Sequence, residues 1–257
     1  MRILILMYHM ISKANHPSEK KYALSPSHFR KQISYLKTNG YTPVSLDDLY
    51  EYAANSSHNL PEKPVIITFD DGYMDNYEYA FPILKQFSFS ATVFIVSGLV
   101  GQTSQWEKNG VAPERPLMGW REINALKESG VTIGSHTVSH RRLSRLSPEN
   151  VKFEIEDSKK FLEDRLGTSI KHFAYPYGDM AGAVVREVNN AGYKTACSAS
   201  PGFNGNDMNP LALRRVAVFG TDSVLSFATK VTFATNDGGL SIPISYYAKR
   251  LSERIKL

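Results

Sequence analysis

The stretch Val65-Ile66-Ile67-Thr68-Phe69-Asp70-Asp71-Gly72, residues 65–72, reads as a strand cut short at its carboxyl end. Its first five residues are β-branched or aromatic and carry no charge, as in strands buried on both faces of a parallel sheet. Two carboxylates and a glycine then stop the run, the chemistry of a turn.

Working outward, the pattern repeats. Upstream, residues 3–8 form another apolar run of strand length, and Ser25-Pro26 opens a helix with Phe29, Ile33 and Leu36 on one face and Gly40 at its end. A short strand at 42–44 follows, then a helix from Leu46 with Asp47 and Asp48 in its first turn. Downstream, strands are predicted at 91–96, 131–134, 171–175, 193–198 and 213–218, and helices at 77–87, 120–129, 147–166 and 180–191. About eight strands alternating with helices, without repeat, linker or break in composition, predict an α/β fold. The expectation is a single (β/α) barrel over residues 1–257 rather than a doubly wound sheet.

Composition fits that expectation. The 257 residues are 42% hydrophobic and 11% aromatic, enough for a full core, which excludes a disordered chain. Lys and Arg number 30 against 25 Asp and Glu, and the resulting +5 is spread along the chain, so no nucleic-acid partner is expected. Cys197 is the single cysteine and has no intramolecular partner; it reads as a buried, inert thiol. The first ten residues have a short apolar run but no small-residue cleavage site, and no segment approaches the roughly 20 apolar residues of a membrane span. A cytoplasmic protein is the expectation.

In such barrels the working residues sit where strands end. Tyr8-His9, Asp70-Asp71-Gly72, Ser135-His136 and Pro176-Tyr177-Gly178 each follow a predicted strand and so converge on one face. His136 and His140 stand at i, i+4, which places two imidazoles on one side of a helical turn. Asp71 completes a three-ligand set for a divalent metal with room for water. Taken singly, either cluster is as readily a solvated turn; their coincidence at strand ends favours the metal. Asp70 is then free to act as general base. Because a metal lowers the pKa of bound water from 15.7 towards roughly 7, amide or ester hydrolysis is the natural chemistry. His9 is the candidate proton donor to the leaving amine; the alternative is a histidine that packs beneath the barrel rim.

The strings Thr68-Phe69-Asp70-Asp71-Gly72-Tyr73, Ser135-His136-Thr137-Val138-Ser139-His140 and Tyr175-Pro176-Tyr177-Gly178 together resemble the polysaccharide deacetylase family (NodB homology, carbohydrate esterase 4). The resemblance implies a distorted (β/α) barrel of seven to eight strands and an Asp-His-His metal site. Zinc is the expected ion, with cobalt, nickel or manganese as alternatives. The implied reaction removes N-acetyl groups from amino sugars of a poly- or oligosaccharide or a lipid-linked glycan. On that pattern Asp70 matches the base, and Asp71, His136 and His140 match the ligands. Pro176 and Tyr177 match the segment lining the substrate groove, with the Tyr177 N–H as oxyanion donor; Tyr73 is a further groove candidate.

Two departures matter. The family's arginine near the proline-tyrosine pair is replaced by Phe173-Ala174-Tyr175, which leaves Arg214 or Arg215 to orient Asp70, or else to serve as ordinary strand-end cations. The late leucine-histidine motif has no match, since no histidine follows Tyr177. Leu6-Met7-Tyr8-His9 stands at the start instead, resembling the circularly permuted branch that includes poly-β-1,6-N-acetylglucosamine deacetylases. A barrel tolerates this because its first and last strands are neighbours on closure.

Other features have plainer readings. Trp106 and Trp120 flank an irregular stretch and read as packing, with sugar stacking the alternative. Ile244, Tyr247, Leu251 and Ile255 share one helical face, suited to docking on the barrel, to an oligomer contact or to weak contact with a membrane surface. Two other classes of function stay open: a metal amidohydrolase acting on a non-sugar amide or formamide, and a carbohydrate-binding protein that has lost catalysis, the latter motivated by the missing arginine.

Overall fold

Strand β1 (Leu4–Tyr8) is apolar throughout because both of its faces are covered. Leu4, Leu6 and Tyr8 pack outward with Val65, Ile67 and Phe69 beneath the helices, while Ile3 and Ile5 join Ile66, Phe94, Ala174 and Cys197 on the inner side. Alternate residues of a strand point to opposite faces, so one continuous run feeds two cores. Each such side chain contributes about 1.5–3 kcal/mol of burial free energy. The structure is a computed structural model and describes residues 1–54, 59–107 and 114–239.

The strands are β1, β2 (Thr42–Pro43), β3 (Pro64–Phe69), β4 (Thr92–Ile95), β5 (Thr132–Ser135), β6 (His172–Ala174), β7 (Thr195–Cys197) and β8 (Val216–Ala217). All pairings between them are parallel, in the order β7-β6-β5-β4-β3-β1-β8, with β2 on the early part of β3. The first strand therefore lies between β3 and the last. Leu213 bridges to Cys197 of β7 just before the chain enters β8, so residues 213–217 span the gap between the sheet's two ends. The result is a distorted (β/α) barrel.

The helices are α1 (Pro26–Thr38), α2 (Leu46–Ala54), α3 (Phe81–Phe87), α4 (Trp120–Glu128), α5 (Pro148–Lys152), α6 (Ser158–Leu166), α7 (Gly182–Asn190) and α8 (Val224–Phe233). Ser25 and Ser147 cap α1 and α5 by accepting from the N–H of His28 and Asn150, with proline at the first turn of each. The helix predicted at 147–166 is broken by a π-helical turn at Phe153–Asp157, and the one at 77–87 begins with another at Asn76–Ala80. Helix α8 has no counterpart in the sequence reading. The amphipathic stretch at 244–257 lies outside the described residues. Among the described residues no helix is long and apolar enough to cross a membrane. Cys197 is buried, which pushes its thiol pKa up to about 12 and leaves it inert.

Candidate active site

The ends of β1, β3, β5 and β6 open onto a cleft of about 290 Å³. Its walls include His9, Asp70, Asp71, Tyr73, His136, His140, Tyr177 and Arg215. Backbone bonds knit the strand ends together: the Asp70 N–H donates to the Tyr8 carbonyl at 3.0 Å, and that of His136 to Ile95 at 2.8 Å. Among the described residues, six non-glycine residues have positive φ, and four of them, Asp71, Thr137, His140 and Tyr177, belong to these strand-end segments. A left-handed backbone costs such residues about 1 kcal/mol or more, and strain of this kind gathers at functional sites.

The two histidines do not share a helical turn as their spacing suggests. They lie on a non-helical loop after β5, and its positive φ at Thr137 and His140 turns both rings inward. Asp71 Oδ1 sits 3.4 Å from His136 Nε2 and 3.2 Å from His140 Nε2. All three donor atoms lie within 4.8 Å of one another and their residues are buried. Tetrahedral bonds of about 2.1 Å to zinc set neighbouring ligand atoms about 3.4 Å apart, so these residues fit such an ion. Asp71 Oδ1 is a buried oxygen with no hydrogen-bond donor among the described residues, as expected of a metal ligand.

The surrounding groups prepare these ligands. His136 Nδ1 lies 2.8 Å from the Ala174 carbonyl, which only accepts, so Nδ1 carries the hydrogen and the neutral ring presents its lone pair at Nε2. Burial pushes the His140 pKa down, towards the neutral imidazole that ligation needs. The loop itself is clamped by Glu154, a buried carboxylate in the π-helical turn. It accepts from the N–H of Val138 and of Ser139 at 2.9 Å each, and from the Ser139 hydroxyl. Sequence reasoning missed Glu154. Its signal was an acid placed on the apolar face shared by Val151, Ile155 and Leu162.

Asp70 faces Arg215 in a two-pronged ion pair, Nη1 to Oδ1 at 2.6 Å and Nη2 to Oδ2 at 2.8 Å. Arg215 is 1% exposed and also donates to Ser198 O and Thr68 Oγ1. Burial raises the Asp70 pKa, but Arg215, His136 and His9 together hold it below the usual carboxylate value. Arg214 does not take part: strand alternation points it outward, and its side chain is exposed.

His9 lines the cleft, its ring 5.0 Å from that of Tyr22 and its carbonyl accepting from Asn76 Nδ2 at 2.7 Å. Its Nδ1 is buried and makes no hydrogen bond among the described residues. Tyr177 is 47% exposed and stands 4.7 Å from the His140 ring. Pro176 is buried and starts the turn that displays Tyr177. Trp106, read as packing, stands 4.4 Å from the His140 ring on the cleft. Trp120 does pack, against Phe161 and Arg165.

A family model described as polysaccharide deacetylase matches residues 57–196. The Bacillus subtilis protein YxkH is 30% identical over 217 residues, 84% of this chain and 71% of its own length. The poly-beta-1,6-N-acetyl-D-glucosamine N-deacetylase of Staphylococcus aureus is 28% identical over 74% of this chain and 70% of its own. Among solved structures, Streptococcus pyogenes deacetylase PplD in complex with acetate superposes with a TM-score of 0.77, at 27% identity over 91% of this chain and 98% of that one.

Proposed function

The chain belongs to the polysaccharide deacetylase family, and on that footing we propose that it is a metal-dependent hydrolase removing N-acetyl groups from the amino sugars of a poly- or oligosaccharide. One observation carries the mechanism: the Asp71-His136-His140 cluster and the Asp70–Arg215 pair open onto the same cleft. A divalent ion held by the three ligands, zinc in the first instance, supplies Lewis acidity to the acetamide carbonyl and lowers the pKa of water.

Asp70 is the base. Kept ionised by Arg215, it accepts a proton from the attacking water while the new C–O bond forms. The N–H of Tyr177 donates to the carbonyl oxygen as negative charge develops there. His9 gives a proton to the departing nitrogen as the C–N bond breaks, so amide and water leave as acetate and a free amine. The aromatic side chains of Trp106 and Tyr177 beside the His140 ring suit contact with a sugar and favour a glycan over a small non-sugar amide. Arg215 on Asp70 removes the ground for reading the site as inactive.

Purified protein is expected to release acetate from N-acetylglucosamine oligomers, to stop on addition of chelator and to resume with zinc. Hydrolysis insensitive to chelator would overturn the metal assignment, and release only from non-sugar amides would overturn the substrate class. His9→Ala is expected to lower kcat by about 10²–10⁴-fold, the usual share of a general acid, with metal content unchanged by elemental analysis. Undiminished turnover in that variant removes His9 from the mechanism.

A further inference from the structure

Immediately after His140 the sequence reads Arg141-Arg142-Leu143-Ser144-Arg145. Leu143 is fully buried, and Ser144 anchors the segment by donating its N–H at 2.9 Å and its hydroxyl at 2.8 Å to Asp179. The three arginines are thereby hung from a fixed backbone. They line a second cleft of about 370 Å³ that shares Trp106, His140 and Tyr177 with the first. The Arg142 guanidinium lies 4.2 Å over the Tyr177 ring, and none of the three arginines is ion-paired among the described residues. Asp179, the acid on the adjoining turn, is occupied by Ser144. Three like charges within five residues repel one another, and an anionic ligand offsets that repulsion. The guanidinium fork matches the oxygens of phosphate and carboxylate.

We propose that this cleft is a subsite for an anionic group, phosphate or carboxylate, carried by the glycan beside the N-acetylated sugar. The inference rests on the deacetylase reading for its substrate and adds a charge requirement to it. Trp106 and Tyr177 form the wall between the reacting sugar and its charged neighbour, and the arginines fix which sugar of the chain enters the metal site.

Calorimetric titration of the zinc-loaded full chain tests this with four probes. These are N-acetylglucosamine, its 1-phosphate, a disaccharide of N-acetylglucosamine and glucuronate, and inorganic phosphate. At least one anionic sugar is expected to bind about tenfold or more tightly than N-acetylglucosamine, the range of charge-assisted hydrogen bonds. That ratio should fall to about one in R142Q/R145Q, whose altered side chains are exposed and leave the fold intact. Which anionic sugar gains tells phosphate from carboxylate. Equal binding of neutral and anionic sugars overturns the proposal. So does a preference that survives in the variant, as it would if phosphate simply ligated zinc, and so does inorganic phosphate binding as tightly as the sugar phosphate. Acetate release from a neutral oligomer reports on the deacetylase reading separately, and its absence leaves the binding ratios to decide the subsite.

Discussion

Asp70→Asn is expected to keep the metal and lose the reaction. The amide is nearly isosteric and leaves Asp71, His136 and His140 untouched, so zinc content should match the wild type. What disappears is the proton acceptor, and kcat should fall by about 10²–10⁴-fold. The change also leaves Arg215, which is 1% exposed, without its counter-charge. Breaking a buried pair from one side costs about 3–5 kcal/mol, a melting shift on the order of 10 °C for a chain of this size. Measuring turnover, zinc and melting together separates a lost base from a lost fold. A zinc-loaded, folded variant with wild-type kcat would overturn the assignment of Asp70. The reciprocal change, Arg215→Met, gives the sign of the pH effect. With the guanidinium gone, burial acts on Asp70 with less opposition, its pKa rises, and the acidic limb of the rate profile moves to higher pH.

The second large effect concerns the metal. Asp71→Asn and His140→Ala each remove one of three donors, and both are expected to lose zinc on dialysis and to lose turnover with it. Lewis-acid stabilisation amounts to several kcal/mol, so kcat/KM should drop by about 10³-fold or more. Glu154→Gln gives a graded outcome. It removes the charge that gathers the Val138 and Ser139 N–H groups, while all three ligands remain. Zinc affinity measured by chelator competition should weaken by about 10–100-fold, as for other outer-shell partners of a metal site. Unchanged zinc affinity in Asp71→Asn would show that the cluster is not the metal site.

Much of this was legible in the sequence because two rules agree. Uncharged runs such as residues 65–69 mark buried parallel strands, and chemistry follows their carboxyl ends, so Asp70, Asp71, His136 and His9 could be placed at one rim without coordinates. What escaped depended on local geometry. The spacing of His136 and His140 is common to a helix and to a loop with two left-handed residues, and periodicity does not tell them apart. Arg214 and Arg215 differ only in which way the strand turns them. Helix α8 was hidden by its own residues: Val224, Phe227, Val231, Thr232 and Phe233 prefer strands. Packing against α1, where Phe227 meets Tyr35 at 5.9 Å, overrides that preference. Trp106 read as filler because nothing in the chain announces that it faces His140.

The position of Arg215 on the segment that joins the sheet's two ends bears on how the protein comes to be folded. Leu6 pairs with Val216, a contact between the beginning of the described chain and nearly its end. Contacts so distant in sequence form late and slow the search for the native state. On a ribosome, Asp70 is made long before the guanidinium that will neutralise it, and its burial is unfavourable until residues 213–217 dock. Barrel closure and the pairing of Asp70 are therefore a single event. A nascent chain that has not yet received residues 213–217 carries an unpaired Asp70 carboxylate, and it gains its guanidinium partner only when the sheet shuts.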